Sequence, residues 1–170
     1  MKQKINYIQI IFHFVATYFI MFSFKTFSWL NYIKVIEAAA IHGPKYVMEN
    51  LEKLQITTVE IAYFNFWPNI ISLVGIVFSF IISITISKIK KWSILNSFIV
   101  LIIIYLLYRY NTLGWNYFKI LAIGSFIDDY HLNFIITGSF FLIIGLVIFF
   151  SKWTNRIIEK RQIELKTQEN

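Results

Sequence analysis

Of the 170 residues, 58% are apolar and only 15% are charged, against roughly 45–50% and about 25% in soluble globular chains. That balance excludes an ordinary soluble domain, because so few charges cannot cover an exterior that faces water. No cysteine is present, which excludes disulfides, thiolate metal sites, thioether-linked haem and a cysteine nucleophile.

In chain order, Ile5 to Phe24 is an apolar run without charge, preceded by Lys2 and Lys4. About 20 apolar residues at about 1.5 Å each span a bilayer core of about 30 Å. A signal peptide would carry a shorter apolar region with a small-residue cleavage site close behind. The nearest such cluster, Ala38 to Ala40, is too far downstream, so residues 5–24 read as a retained first span.

Residues 25–66 form a long outer loop. Asn31 to His42 has helical composition and Gly43-Pro44 breaks it. From Lys45 to Gln55, Val47, Met48, Leu51 and Leu54 share one helical face, which predicts an amphipathic surface helix. The second span, 67–87, opens at Trp67-Pro68, with the proline in a first helical turn. It closes at the basic turn Lys88-Ile89-Lys90-Lys91, and the third span follows at 92–109. This hairpin, Trp67 to Tyr110, is expected to organise the fold. The outer loop 110–131 contains Trp115, Tyr117, Phe118, Ile120 and Leu121 with a single Lys119, suggesting a short interfacial helix. A fourth span at 132–151 precedes a charged tail over 154–170, which reads as a frayed helix. Residues 1–153 thus form one membrane domain.

The fold class that follows is an all-α integral membrane protein: a four-transmembrane-helix bundle with short amphipathic outer helices. Trp29, Trp67, Trp92 and Trp153 fall at or near span ends, as an interfacial aromatic belt requires. With four spans, both termini and the basic turn share one side. That side carries Lys2, Lys4, Lys88, Lys90, Lys91, Lys152, Arg156, Lys160, Arg161 and Lys166. The other side carries six cations balanced by six carboxylates. The positive-inside rule places both termini in the cytoplasm. The whole net charge of +7 then faces anionic lipid headgroups. Nucleic acid is not an expected partner, since no base-reading module is present. The excess of Lys over Arg, with abundant Ile, Asn and Phe, fits an AT-rich bacterial genome and hence a bacterial inner membrane.

Polar residues within spans mark the faces that meet. Asn6, Gln9, His13 and Thr17 form one stripe on the first span, and Ser72, Gly75, Ser79, Ser83 and Ser87 one on the second. Small residues at that interval let helices approach closely. Gly138 and Gly145 lie a heptad apart on the fourth. Counting depth from span middles puts His13 beside Ser79 near the midplane. Gln9, Ser83 and Asn96 fall one layer towards the cytoplasm; Thr17, Ser72, Tyr105 and Thr137 form a looser outer layer. His13 reads either as a relay or path residue, or as a neutral imidazole holding two helices in register; no carboxylate lies within a span to complete a relay. On the outer face, Asp128, Asp129 and His131 offer oxygen and nitrogen ligands of metal type, but Asp-Asp is also a helix-start signal.

No catalytic, cofactor or metal site is assigned. The functional expectation is a non-enzymatic bacterial inner-membrane protein acting through a membrane-protein partner or its own oligomer: an accessory subunit, or an immunity or stress-type protein. The alternatives are a small transport or channel component with a polar path at the His13 layer, and a membrane enzyme with the outer Asp/His cluster.

Overall fold

The computed structural model describes residues 5–110 and 122–167, and every regular element among them is helical. In order these are α1 (Tyr7–Ser28), a 3-10 turn (Trp29–Tyr32), α2 (Ile33–His42), α3 (Pro44–Glu49), α4 (Thr58–Ile89), α5 (Ile94–Arg109), a second 3-10 turn (Ile123–Phe126), α6 (Tyr130–Phe150) and α7 (Lys152–Thr167). Three helical stretches, Tyr7–His42, Thr58–Ile89 and Tyr130–Leu165, are long and apolar enough to cross a membrane. The fourth expected span, α5, is apolar but has 16 residues; at about 1.5 Å each that is roughly 24 Å, short of a bilayer core. The described residues are thus all-helical in their regular structure, with three membrane-capable helical stretches among them. The segment expected to form an interfacial helix lies mostly outside the described residues.

Local chemistry explains most helix boundaries. Asn6 caps α1, its side chain accepting a bond from the Gln9 amide. Thr57 and Glu60 form a reciprocal capping box at the head of α4, satisfying amides that would otherwise lack partners. This box starts α4 nine residues earlier than Trp67 and leaves Pro68 inside the helix rather than in its first turn. Asp129 caps α6 by accepting from the amides of His131 and Leu132.

One left-handed turn motif occurs twice, once at the end of a helix and once at the end of the turn after α3. After α4, Lys91 adopts a left-handed backbone with φ of 54°. The Trp92 amide then donates back to Ser87 O at 2.8 Å and the Lys91 amide to Lys88 O at 3.2 Å. This double bond-back ends a helix while reversing the chain. Gln55 repeats it with φ of 53°, returning Ile56 to Leu51 O at 2.9 Å. In both, the residue after the left-handed position, Trp92 or Ile56, is buried. Trp92 is therefore a core residue rather than part of an interfacial belt, whereas Trp153 is 67% exposed.

The hub is α1, not the α4–α5 hairpin. It packs along α4 on one side and α6 on the other, and touches α5 and α7, while α4 and α6 barely meet. Ala16, Ile20, Met21 and Phe22 of α1 are buried, with Ile76, Val100, Ile104, Phe141 and Phe149 from the surrounding helices. Close approach depends on absent side chains. A Cβ on Gly145 would lie 2.6 Å from Ile20 Cγ1 and 3.0 Å from the Ala16 carbonyl oxygen; one on Gly75 would lie 3.1 Å from Met21 Cα. The two small-residue rows read in the sequence thus face the same helix from opposite sides.

α3 spans only Pro44–Glu49, with a turn following, so the amphipathic stretch over 45–55 is helical in its first half alone. Val47 is buried with Val35 and Ile56, and Leu51 and Leu54 pack against them, but Met48 is 57% exposed. Residues 152–167, expected as a frayed helix, form the regular helix α7. It follows α6 after a break at Ser151, whose hydroxyl accepts from the Thr154 amide. Its Ile158 is fully buried.

Candidate functional site

All seven residues singled out within the spans, Gln9, His13, Thr17, Ser72, Ser79, Ser83 and Asn96, are buried. Four of them join one hydrogen-bonded layer; three do not. His13 Nδ1 lies 2.6 Å from Ser83 Oγ, and Ser83 Oγ donates to Ser97 Oγ at 2.7 Å. With the Ser83 proton committed there, the imidazole donates through Nδ1–H. Gln9 Nε2 donates to Ser87 Oγ at 2.8 Å, and Asn96 Nδ2 donates to Gln9 Oε1 at 2.7 Å. Ser87 and Ser97 hydroxyls sit 3.2 Å apart, and Ser87 also donates to the Ser83 carbonyl.

Asn6 closes the layer. Its amide donates to Asn96 Oδ1, while its side-chain nitrogen donates to the Ile158 carbonyl and to Gln162 Oε1, each at 3.2 Å. One residue thus caps α1 and ties α5 and α7 to it. Above the layer, the His13 ring sits among aromatics, with Phe149 at 5.1 Å edge-on and Trp92 at 6.2 Å. The gap lined by Thr17, Ile76, Phe80, Ser83, Ser97 and Val100 holds no room for a water molecule. Among the described residues, the only buried side-chain polar atoms without a partner are Asn155 Oδ1 and Arg161 Nε, both on α7.

Three features differ from the sequence expectation. His13 meets Ser83, not Ser79, a register one turn along α4. Counting from span middles assumes that helices meet at matched depth, whereas here the pairs Gln9–Ser87 and His13–Ser83 set the register. Ser87 is the last residue of the expected second span, so the layer lies against the Lys88–Lys91 turn and not at mid-span. Nor does the outer layer form. Thr17 donates to the His13 carbonyl, Ser72 to that of Pro68 and Ser79 to that of Gly75, each four residues back on its own helix. Tyr105 is 54% exposed, and Thr137 accepts from the Gly124 amide.

Ser97 and Gln162 belong to the layer and escaped the sequence reading. Ser97 adjoins Asn96 on the inward face of α5, a signal that was available. Gln162 sits amid charges and gives none.

Asp128, Asp129 and His131 are exposed, and Asp129 serves as the helix cap. Among the described residues no three His, Asp or Glu side chains gather as a metal site would require. At the end of the molecule away from this layer, α2, α3 and the head of α4 enclose an open cleft of about 170 Å³. It is lined by Val35, Ala39, Pro44, Val47, Met48, Ile61, Phe64 and Asn65. Ile41, Met48 and Val59 stand exposed on the same elements. The chain matches no protein-family model, no curated protein and no solved structure.

Proposed function

We propose that the protein is a non-enzymatic, four-span bacterial inner-membrane protein with both termini cytoplasmic, and that it works by contacting a membrane-protein partner through its outer elements. The observation that carries this reading is the open apolar cleft between α2, α3 and α4. It is rimmed by exposed Met48 on a stretch whose neighbouring charges are of both signs. Apolar surface clustered outside the spans is the kind that partners cover. The polar layer supports it from the other direction. A layer whose groups bond to one another, beside a gap too small for water, suits fixing helix register better than passing a substrate.

Single cysteines in this cysteine-free chain test the reading. In intact cells, His42→Cys reacts with a membrane-impermeant thiol reagent, whereas Ser79→Cys, Thr17→Cys and Ile89→Cys stay silent. Labelling at position 79 would put water inside the bundle and make transport the better reading. A photo-crosslinker at Met48 yields one defined adduct that is lost when Val47→Asp disrupts the cleft; the same crosslinker at lipid-facing Phe78 does not. An absent or Val47-independent adduct at 48 would overturn the partner reading.

A further inference from the structure

α7 presents two faces of different chemistry. Towards the bundle, its Ile158 is buried and Glu159 is taken by Lys90 of the turn at 2.9 Å; Glu164, exposed at the far end of the outward row, is taken by Arg161 at 2.9 Å. Outward, Lys152, Arg156 and Lys160 recur every four residues, all exposed, and none is ion-paired among the described residues. Like charges four apart on a helix repel one another, so this stripe opposes the helix that carries it unless an external anion neutralises it.

The surroundings say which anion. Trp153, at the head of the stripe, is 67% exposed and packs edge-on against Phe12 at 5.9 Å. From there α7 runs back along the start of α1, with the Ile158 carbonyl on Asn6 and Arg161 over the Tyr7 ring at 4.9 Å. The stripe therefore starts beside Phe12 and runs back past the start of α1 to the level of the turn, where Glu159 meets Lys90 alongside exposed Lys88 and Lys91. An exposed indole with cations stacked beyond it towards the turn matches an acyl–headgroup boundary. We infer that the outward face of α7, with the Lys88–Lys91 turn, is a docking surface for anionic phospholipid headgroups. This goes beyond the partner reading of the outer cleft and does not depend on it.

The test uses the purified full chain in a neutral detergent, melted by loss of its helical circular dichroism while dioleoyl-phosphatidylglycerol or dioleoyl-phosphatidylcholine is titrated in. The phosphatidylglycerol raises the melting temperature and the phosphatidylcholine does not. In Lys152→Gln/Arg156→Gln/Lys160→Gln the phosphatidylglycerol concentration for half the effect rises about fivefold per cation, roughly 100-fold in all. A control variant, Lys45→Gln/Lys53→Gln on the far elements, keeps the wild-type response. If the triple variant already melts early in detergent alone, salt on the wild-type protein decides, because ~1 M NaCl must collapse the difference between the lipids. Equal responses to both lipids, a triple variant with full phosphatidylglycerol response, or a difference between the lipids that survives salt would overturn the assignment. So would inorganic phosphate or polyglutamate reproducing the shift at equal charge.

Discussion

The serine row of α4 behaves differently at its two ends, and the contrast shows how the fold is held. Towards the basic turn, Ser83 and Ser87 reach across to His13, Gln9 and Ser97. Towards the other end, Ser72 and Ser79 fold their hydroxyls onto their own helix. There, side-chain bonds between helices are few, Ser23 to the Gly138 carbonyl and Tyr108 to that of Asn69, and close backbone approach at Gly75 and Gly145 lets α1 settle between α4 and α6. One end is fastened chiefly by a bonded layer, the other chiefly by shape. Identical residues on one stripe therefore have unequal worth, and spacing alone does not rank them.

The shape-held half should fail hardest. Gly145→Val drives a side chain into Ile20 and the Ala16 carbonyl. We expect it to lose about 3 kcal/mol in a denaturing-detergent titration; a loss below ~1 kcal/mol would mean that α1 and α6 do not pack this closely. At the bonded end, Asn6→Ala removes a helix cap and two cross-helix bonds, leaving the backbone amide on Asn96, at a cost of about 2 kcal/mol. The same titration checks it, with amide exchange in α7 expected to rise first. The next prediction sharpens the contrast within the serine row. Ser83→Ala strands a His13 partner and costs about 1 kcal/mol, while Ser79→Ala, which loses only a bond to its own helix, stays within ~0.5 kcal/mol. Equal costs would erase the distinction. Smallest and of opposite sign, Lys91→Gly relieves a left-handed non-glycine residue and should stabilise by up to about 1 kcal/mol.

Much of the fold was legible in the sequence because hydropathy alone marks long apolar helices. The residues that bury α1 against α4 were legible too, since small and polar side chains recur on single faces. The register escaped by one turn. It depends on which side chains meet, His13 with Ser83 instead of Ser79, and a periodic row offers several equivalent pairings. Helix starts were misjudged where polar capping outranked proline placement, as Thr57 and Glu60 did over Pro68. The role of α7 was hidden because its key contact is a backbone carbonyl, that of Ile158, and carbonyls leave no trace in composition. Asn6, at the junction of three helices, looked like one more polar residue near the head of the first apolar run.

The position of α1 at the hub has a consequence for how the protein is made. α1 leaves the ribosome ahead of every helix it packs against, and the stretch it opens, Tyr7–His42, has a mean hydropathy of 1.6, below the 2.5 of the other two membrane-capable stretches. It must therefore wait in the translocation machinery or the lipid with Gln9, His13 and Ser23 unsatisfied. Its last bonds, from Asn6 to Ile158 and Gln162, form only once almost all of the described chain has been synthesised. The clasp is therefore the last step of assembly, and a ribosome stalled after α6 would hold a bundle whose first helix still lacks it.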